Sequence, residues 1–336
     1  MASLSLQSDK NDRHASWQAV MAEAIREPAE LCRLLELDPS LIDRQAAVNF
    51  SLLVPRTFLS RMQPGEPKDP LLVQVMPSAA ENASSPGFRA DPLCEADAAV
   101  CPGLLWKYQG RSLIVATGRC AVHCRYCFGR HFRCAGVPQE PADQDRILGK
   151  IAAEHSIHEV ILSGGDPLTL PDRQLAGLAG RLAEIPHLRR LRLHTRLPVM
   201  IPQRVTDSLI SWLRGTRLVG VVVLQINHAA EIDTEVAAAL ARLVDAGVPV
   251  LSQSVLLRGV NDSVAALSEL FERLVDHRVI PYYLHQLDGV SGASHFLVDR
   301  ARGVALIEQL RGILPGYAIP RYVRETPGSA SKQALA

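Results

Sequence analysis

Beyond about residue 111, short apolar runs recur along the chain: Leu113 to Ala116, Glu159 to Leu162, Leu191 to His194, Leu218 to Leu224, Val248 to Val255 and Val279 to Leu284. Runs of this length suit buried strands. The segments between them carry helical spacing. Ile147, Leu148, Ile151 and Ala152 fall on one helix face, as do Val236, Leu240, Leu243 and Val244, after which Gly247 and Pro249 mark a stop. Strands and helices alternating in this order predict right-handed crossovers and a parallel sheet. Before about residue 55 the pattern is helical, through Trp17, Val20, Met21, Ala24 and Ile25, then Ala29, Leu31, Leu34, Leu35 and Leu37 after Pro28. From about 62 to 104 the chain turns rich in Pro, Ser, Ala and Asp, which reads as connector. The expected organisation is an N-terminal helical region and connector over 1–104, a strand-and-helix unit over 105–315, and a C-terminal segment over 316–336.

The ends of the apolar runs are more informative than the runs. They read T-G-R-C, S-G-G-D-P, H-T-R, Q-I-N-H, S-Q-S-V-L-L-R-G-V-N and H-Q-L-D-G in turn. Polar and Gly-rich chemistry therefore gathers at strand carboxyl ends, where parallel barrels build their sites. An open doubly wound sheet would also bind ligands there. Six units with every loop loaded favour an α/β fold of the incomplete (βα)6, TIM-type barrel kind, with an N-terminal helical extension and a C-terminal tail.

Composition narrows the function classes. At 336 residues, 47% hydrophobic and 21% charged, the chain is neither disordered nor fibrous. Lys plus Arg (36) nearly cancels Asp plus Glu (35), so no global field draws it to nucleic acid or anionic lipid. The opening residues lack the apolar region of a secretory signal, and no stretch approaches a membrane span, so a cytoplasmic location is expected. Five lysines are present: Lys10, Lys68, Lys107, Lys150 and Lys332. A lysine at a chemically suggestive place therefore stands out.

Seven cysteines are an odd number for a disulfide framework, and three crowd into Cys120-Ala-Val-His-Cys124-Arg-Tyr-Cys127, directly after the first apolar run. Three thiolates in a C-x3-C-x2-C run can hold three irons of a 4Fe–4S cluster and leave the fourth without a protein ligand. An open iron can chelate the amino and carboxylate groups of S-adenosylmethionine and pass an electron into its sulfonium. The alternatives are a zinc site or three buried thiols, but structural zinc takes four ligands in paired spacings and no second C-x2-C exists. Cys134 reads as a buried small hydrophobe rather than a fourth ligand.

The C-x3-C-x2-C loop resembles that of the radical S-adenosylmethionine superfamily. Ser163-Gly164-Gly165-Asp166-Pro167 sits where that superfamily has the Gly-Gly-Asp that meets the methionine amino group. The resemblance narrows through residues 104–132, then H-T-R-L-P-V-M-I-P-Q-R, Q-I-N-H, S-Q-S-V-L-L-R-G-V-N-D and P-Y-Y-L-H-Q-L-D, which look like the lysine 2,3-aminomutase family. Within it they are most similar to the short bacterial branch that supplies β-lysine for elongation factor P. That family uses pyridoxal 5′-phosphate as a radical carrier. The resemblance implies that Lys332, after Glu325-Thr-Pro-Gly-Ser-Ala-Ser, is the Schiff-base lysine, and that Lys107, Tyr108 and Arg111 bind the phosphate. It places Gln225, Thr195 and Arg196 beside S-adenosylmethionine. Asp288 and Glu325 would meet the side-chain ammonium of lysine. The family usually has Arg where this chain has Gly129, which leaves Arg130 as the expected ligand of the substrate carboxylate. His194 and His228 are read as structural.

The expected function is therefore an isomerase that converts L-lysine to (R)-β-lysine. Its product would pass to a lysyl ligase acting on elongation factor P, with an external electron donor supplying the cluster. A homo-oligomer is possible. Two alternatives remain open: an aminomutase for another amino acid, and an inactive iron–sulfur or pyridoxal-binding module.

Overall fold

The structure, a computed structural model, describes residues 16–131 and 141–336. Cys134 lies outside the described residues. Ten strands form one sheet in sequence order: β1 Ala99–Cys101, β2 Leu104–Tyr108, β3 Arg111–Thr117, β4 Glu159–Gly164, β5 Arg190–Thr195, β6 Val219–Gln225, β7 Val250–Val255, β8 Ile280–His285, β9 Arg321–Arg324 and β10 Gln333–Ala334. From β3 to β9 every neighbouring pair is parallel; β1, β2 and β10 pair antiparallel at the two edges. Because each strand pairs with the next, all the carboxyl ends from β3 to β9 face one side. Among the described residues the sheet is not closed.

The six expected strands are β3 to β8. One face of each is in the core, through Val160 and Leu162, Leu191 and Leu193, and Val222 and Leu224, while alternate positions such as Arg192 and His194 line the cavity described below. A seventh parallel strand, β9, comes from the segment read as a tail. Gly303, in the helix Arg300–Arg311, lets that helix sit directly on β9. A Cβ there would lie 2.2 Å from Tyr322 Oη. The Tyr322 hydroxyl in turn donates to Gln286 Oε1, just past β8.

The intervening helices follow the sequence signals closely. In Thr234–Asp245, Asp233 caps the first turn by accepting from Val236 N–H at 2.8 Å, and Val236, Ala239, Leu240 and Leu243 are buried. Gly247, at φ +77°, ends the segment in the left-handed region that favours glycine. The N-terminal region resolves into four short helices, Trp17–Ala22, Pro28–Leu34, Arg44–Asn49 and Arg56–Leu59, tied by an antiparallel bridge between Ile25 and Val54. Its apolar residues join the core of the sheet.

Candidate active site

One cavity of about 280 Å³ opens among the strand carboxyl ends. Cys120, Cys124 and Cys127 follow β3 and all line it. The N-terminal region holds their loop from behind: His123 N–H donates to the Leu53 carbonyl at 3.0 Å, and Arg125 N–H to the Gln74 carbonyl at 2.8 Å. The Arg125 side chain is fully buried. It places Nε and Nη2 on Glu81 at 2.8 and 2.6 Å and reaches the Ala46 carbonyl at 2.9 Å. A guanidinium removed from water needs such filled donors, so these contacts fix the loop's course. Among the described residues, no three His, Cys, Asp or Glu side chains converge on one metal-ion position. A four-iron cube takes each thiolate on a different iron, so three cysteines facing one cavity suit it.

Arg130 shares that carboxylate. Its Nη2 lies 2.9 Å from Glu81 Oε2, and Nη1 donates to the carbonyls of Arg125 and Gly292 at 3.0 and 3.2 Å. It sits behind the cysteine loop and does not line the cavity. Gly129 offers no side chain in its place.

The Gly164-Gly165-Asp166 turn at the end of β4 packs onto the start of the cysteine loop. Gly165 N–H donates to Thr117 O at 2.7 Å and Asp166 N–H to Arg119 O at 2.6 Å. A Cβ on Gly165 would lie 2.1 Å from the Arg119 carbonyl oxygen, which is why glycine is required. All three residues line the cavity. The Asp166 carboxylate is already filled by protein donors: Thr195 Oγ1 at 2.7 Å and the N–H groups of Arg196, Leu197 and Leu168 at 2.7, 3.0 and 3.0 Å. It therefore ties the ends of β4 and β5 together. Thr195 and Gln225 line the same wall, and Arg196 turns its guanidinium toward Cys124.

At the other end of the cavity lies a chain of alternating charges. Lys332 Nζ donates to Glu325 Oε2; Lys107 Nζ is 3.0 Å from Glu325 Oε1 and 2.8 Å from Glu95 Oε1. Burial pushes the Glu325 carboxyl up, but Lys332 and Lys107 outweigh it and hold the group down at about 2. Burial likewise works against the Lys107 cation, yet Glu325 and Glu95 keep its pKa above the ordinary value. For Asp288 the balance goes the other way: burial and the neighbouring Glu325 outweigh the pull of Lys332 and Lys107 and push it up to about 7. Arg111 lies with its guanidinium carbon 4.7 Å from the centroid of the Tyr108 ring. Burial and Glu325 push the Tyr108 phenol up, so it stays a neutral donor.

Several wall residues escaped the sequence reading, and His194, read there as structural, lines the cavity too. Glu95 comes from a 3-10 turn in the connector. Ser112 Oγ and His194 Nε2 are buried without a hydrogen-bond partner, so the wall presents polar atoms that a bound polar group would satisfy. His285 Nε2 is 3.1 Å from Gln253 Oε1, and Gln253 Nε2 is 3.4 Å from His194 Nδ1. Burial, reinforced by Lys332, drives His285 down to about 3, and burial with Arg192 drives His194 below its ordinary range. Both rings are neutral near pH 7. His228, by contrast, caps a 3-10 turn through Ala230 N–H at 3.1 Å, as a structural histidine would.

The residues thus fit both expected groups, a thiolate-held cluster at one end and a lysine-bound aldehyde cofactor at the other. Comparison with known proteins bears on the family. The model for the radical SAM superfamily matches residues 114–271. The L-lysine 2,3-aminomutase of Haemophilus influenzae is 44% identical over 323 residues, 96% of each chain. That of Escherichia coli is 44% identical over 322 residues, 95% of this chain and 94% of the relative. Among solved structures, Streptococcus suis SuiB bound to S-adenosylmethionine matches with TM-score 0.49 and 15% identity over 66% of this chain and 51% of that one. With a strand-end cysteine triad, a Gly-Gly-Asp turn packed upon it and near end-to-end similarity to these relatives, the chain belongs to the lysine 2,3-aminomutase family of radical SAM enzymes.

Proposed function

We propose that this enzyme moves the amino group of L-lysine from C2 to C3, yielding (R)-β-lysine. The observation that carries the proposal is that Cys120, Cys124 and Cys127, which follow β3, and Lys332, which precedes β10, line one cavity together with a buried acid, Asp288. When bound, a 4Fe–4S cluster with S-adenosylmethionine supplies a carbon-centred oxidant, and pyridoxal phosphate supplies a conjugated ring that can carry the migrating nitrogen.

The protein's own share is binding, orientation and charge. Cys120, Cys124 and Cys127 would hold the cluster. Gly164 and Gly165 would present backbone to the methionine end of S-adenosylmethionine, with Thr195 and Gln225 beside it. Lys332 would anchor the aldehyde, and Arg111, Tyr108 and Ser112 would face the phosphate. Lys107 already bridges Glu95 and Glu325, so its cation steadies the acid that Lys332 must leave when its amine is used. Asp288 and Glu325 would then face the substrate ammonium, and Coulomb attraction is strong in a poorly solvated wall. The enclosed wall also limits water around reactive species.

The resemblance to the short bacterial branch extends this proposal: the β-lysine passes to a ligase that attaches it to elongation factor P. Loss of the β-lysyl mass increment from elongation factor P in cells lacking this chain is the expected result. A second reading has one observation in its favour. Gly129 has no side chain and Arg130 pairs with Glu81 outside the cavity lining, so the carboxylate contact that the resemblance implies is missing, and Asp288 and Glu325 would serve the side chain of another cationic amino acid equally.

The experiment uses anaerobically reconstituted enzyme with S-adenosylmethionine, pyridoxal phosphate, a reductant and lysine carrying nitrogen-15 at the α-amino group. The label is expected at C3 of β-lysine. Unchanged lysine, with ornithine or arginine consumed instead, overturns the lysine assignment.

A further inference from the structure

Arg196 leaves the carboxyl end of β5 and buries its guanidinium behind the cysteine loop. Nη1 stands 2.7 Å from Cys124 Sγ and 2.6 Å from Tyr126 Oη. Nη2 stands 2.8 Å from Gln74 Oε1 and 2.9 Å from Glu231 Oε2. The Tyr126 hydroxyl also accepts from Asn227 Nδ2 at 2.6 Å and is hydrogen-bonded to Cys124. Glu231 is itself pinned, accepting from the N–H groups of Asn227 and His228 at 3.0 and 3.2 Å and from Gln74 Nε2 at 3.3 Å. The Arg196 side chain is 7% exposed and that of Glu231 is fully buried. Phe58 and Tyr126 flank the guanidinium, with ring centroids 5.6 and 5.8 Å from its carbon.

A guanidinium held at both ends in this way cannot swing out to meet a ligand. It is a permanent cation fixed on one thiolate sulfur. Hydrogen bonds to ligand sulfurs and local net charge are among the main determinants of iron–sulfur reduction potentials. When a cluster takes up an electron it becomes more negative. A cation on its ligand stabilises that reduced form, and does so more strongly where water is excluded. Glu231, on the far side of the guanidinium, offsets part of the charge.

We propose that Arg196 is a positioning residue that sets the cluster's reduction potential through a charge-assisted hydrogen bond to Cys124 Sγ, with Glu231 and Tyr126 fixing how much of its charge the sulfur feels. The inference rests on the reading of the three cysteines as cluster ligands. The step concerned is the passage of one electron from an external one-electron donor into the oxidised cluster. The donor is oxidised, the cluster is reduced by the same electron, and no bond forms or breaks.

The test is a redox titration of the full-length reconstituted protein, followed by electron paramagnetic resonance without S-adenosylmethionine or lysine. Wild type is compared with Arg196→Gln, Arg196→Lys and Glu231→Gln, with iron and sulfide measured in each. Arg196→Gln is expected to lower the potential so that, at fixed poise, the oxidised-to-reduced ratio rises about tenfold, ~59 mV for a one-electron couple. Arg196→Lys should fall between. Glu231→Gln should shift the potential in the opposite direction, which a merely structural role would not produce. An intact cluster whose potential stays put in both Gln variants overturns the proposal, as does a shift of the same sign in both. Should Arg196→Gln retain no cluster, the sign of the Glu231→Gln shift decides. No iron in the reconstituted wild type overturns the cysteine assignment, and this inference with it.

Discussion

Glu81 offers the sharpest test of how the N-terminal region serves the site. Its carboxylate accepts from Arg125 through both oxygens and from Arg130 through Oε2, and Oε1 also accepts from Ser78 N–H at 3.0 Å. Side-chain exposures are 2% for Glu81, 0% for Arg125 and 4% for Arg130. Glu81→Ala would remove the carboxylate that two buried guanidiniums share. Removing one partner of a buried pair costs roughly 3–5 kcal/mol, and the two cations sharing it place this case toward the upper end. The cost falls on residues 123–130, whose remaining ties to the N-terminal region are backbone hydrogen bonds, the Arg125 contacts to the Ala46 and Phe50 carbonyls, the His123 contact to the Ser51 carbonyl, and packing on the Phe50 ring. At 1.36 kcal/mol per tenfold, local opening should become about two to four orders of magnitude more frequent. Amide hydrogen exchange of Arg125, Cys127 and Arg130 reads this directly, with the amides of Thr234–Asp245 as an internal reference. Glu81→Gln should lie between, since an amide keeps one acceptor oxygen but loses the charge. Exchange at residues 125–130 within threefold of wild type in Glu81→Ala would refute the reasoning.

Other consequences are as specific. Lys332→Ala should abolish borohydride-trapped pyridoxal while iron content stays unchanged; trapping on Lys107 instead would show that the anchoring lysine is misassigned. Asp288, at about 7, is protonated below that pH and must ionise to meet an ammonium, so lysine affinity should fall as pH drops through 7. Asp288→Asn should bind lysine more weakly and without that pH dependence, as read by substrate titration across pH 5.5–8.5, about three units around the carboxyl's value; a wild-type affinity flat through this range would remove Asp288 from the substrate site. Gly165→Ala would drive a methyl group into the Arg119 carbonyl, a clash of the kind that costs ~1–3 kcal/mol, and iron uptake should drop. The control is Gly177→Ala, exposed in the helix Asp172–Ala183 with nothing within 4 Å of its Cβ. It should stabilise by ~0.5–1 kcal/mol and leave iron uptake alone, as a thermal melt and metal analysis would show.

What the sequence made legible was local. Strands β3 to β8 stand out because each puts short apolar stretches into the core at regular intervals between helical segments. Strand β9 was hidden: only Tyr322 and Val323 are buried, between two exposed arginines, and four such residues at the end of a chain look like tail. The cysteine spacing and the Gly-Gly-Asp turn could be read because each is fixed within a few residues. Partners distant in sequence could not. Arg196 was expected beside S-adenosylmethionine and does line the cavity, but that its guanidinium is held by Gln74, 122 residues away, and Glu231, 35 away, could not be read. Arg130 was expected at the substrate and is drawn to Glu81 across 49 residues. Glu95 lay in a stretch whose Pro and Asp content signals only connector, and nothing local marks it as the partner of Lys107.

The account's central claim is an iron–sulfur cluster held by three cysteines with one iron left open, and metal analysis joined to spectroscopy tests it most directly. Protein loaded without oxygen should carry about four irons and four sulfides per chain, and its reduced resonance spectrum should change when S-adenosylmethionine is added. Ala at Cys120, Cys124 or Cys127 should remove the brown absorbance. A single bound metal, or a cluster whose spectrum ignores S-adenosylmethionine, would contradict it.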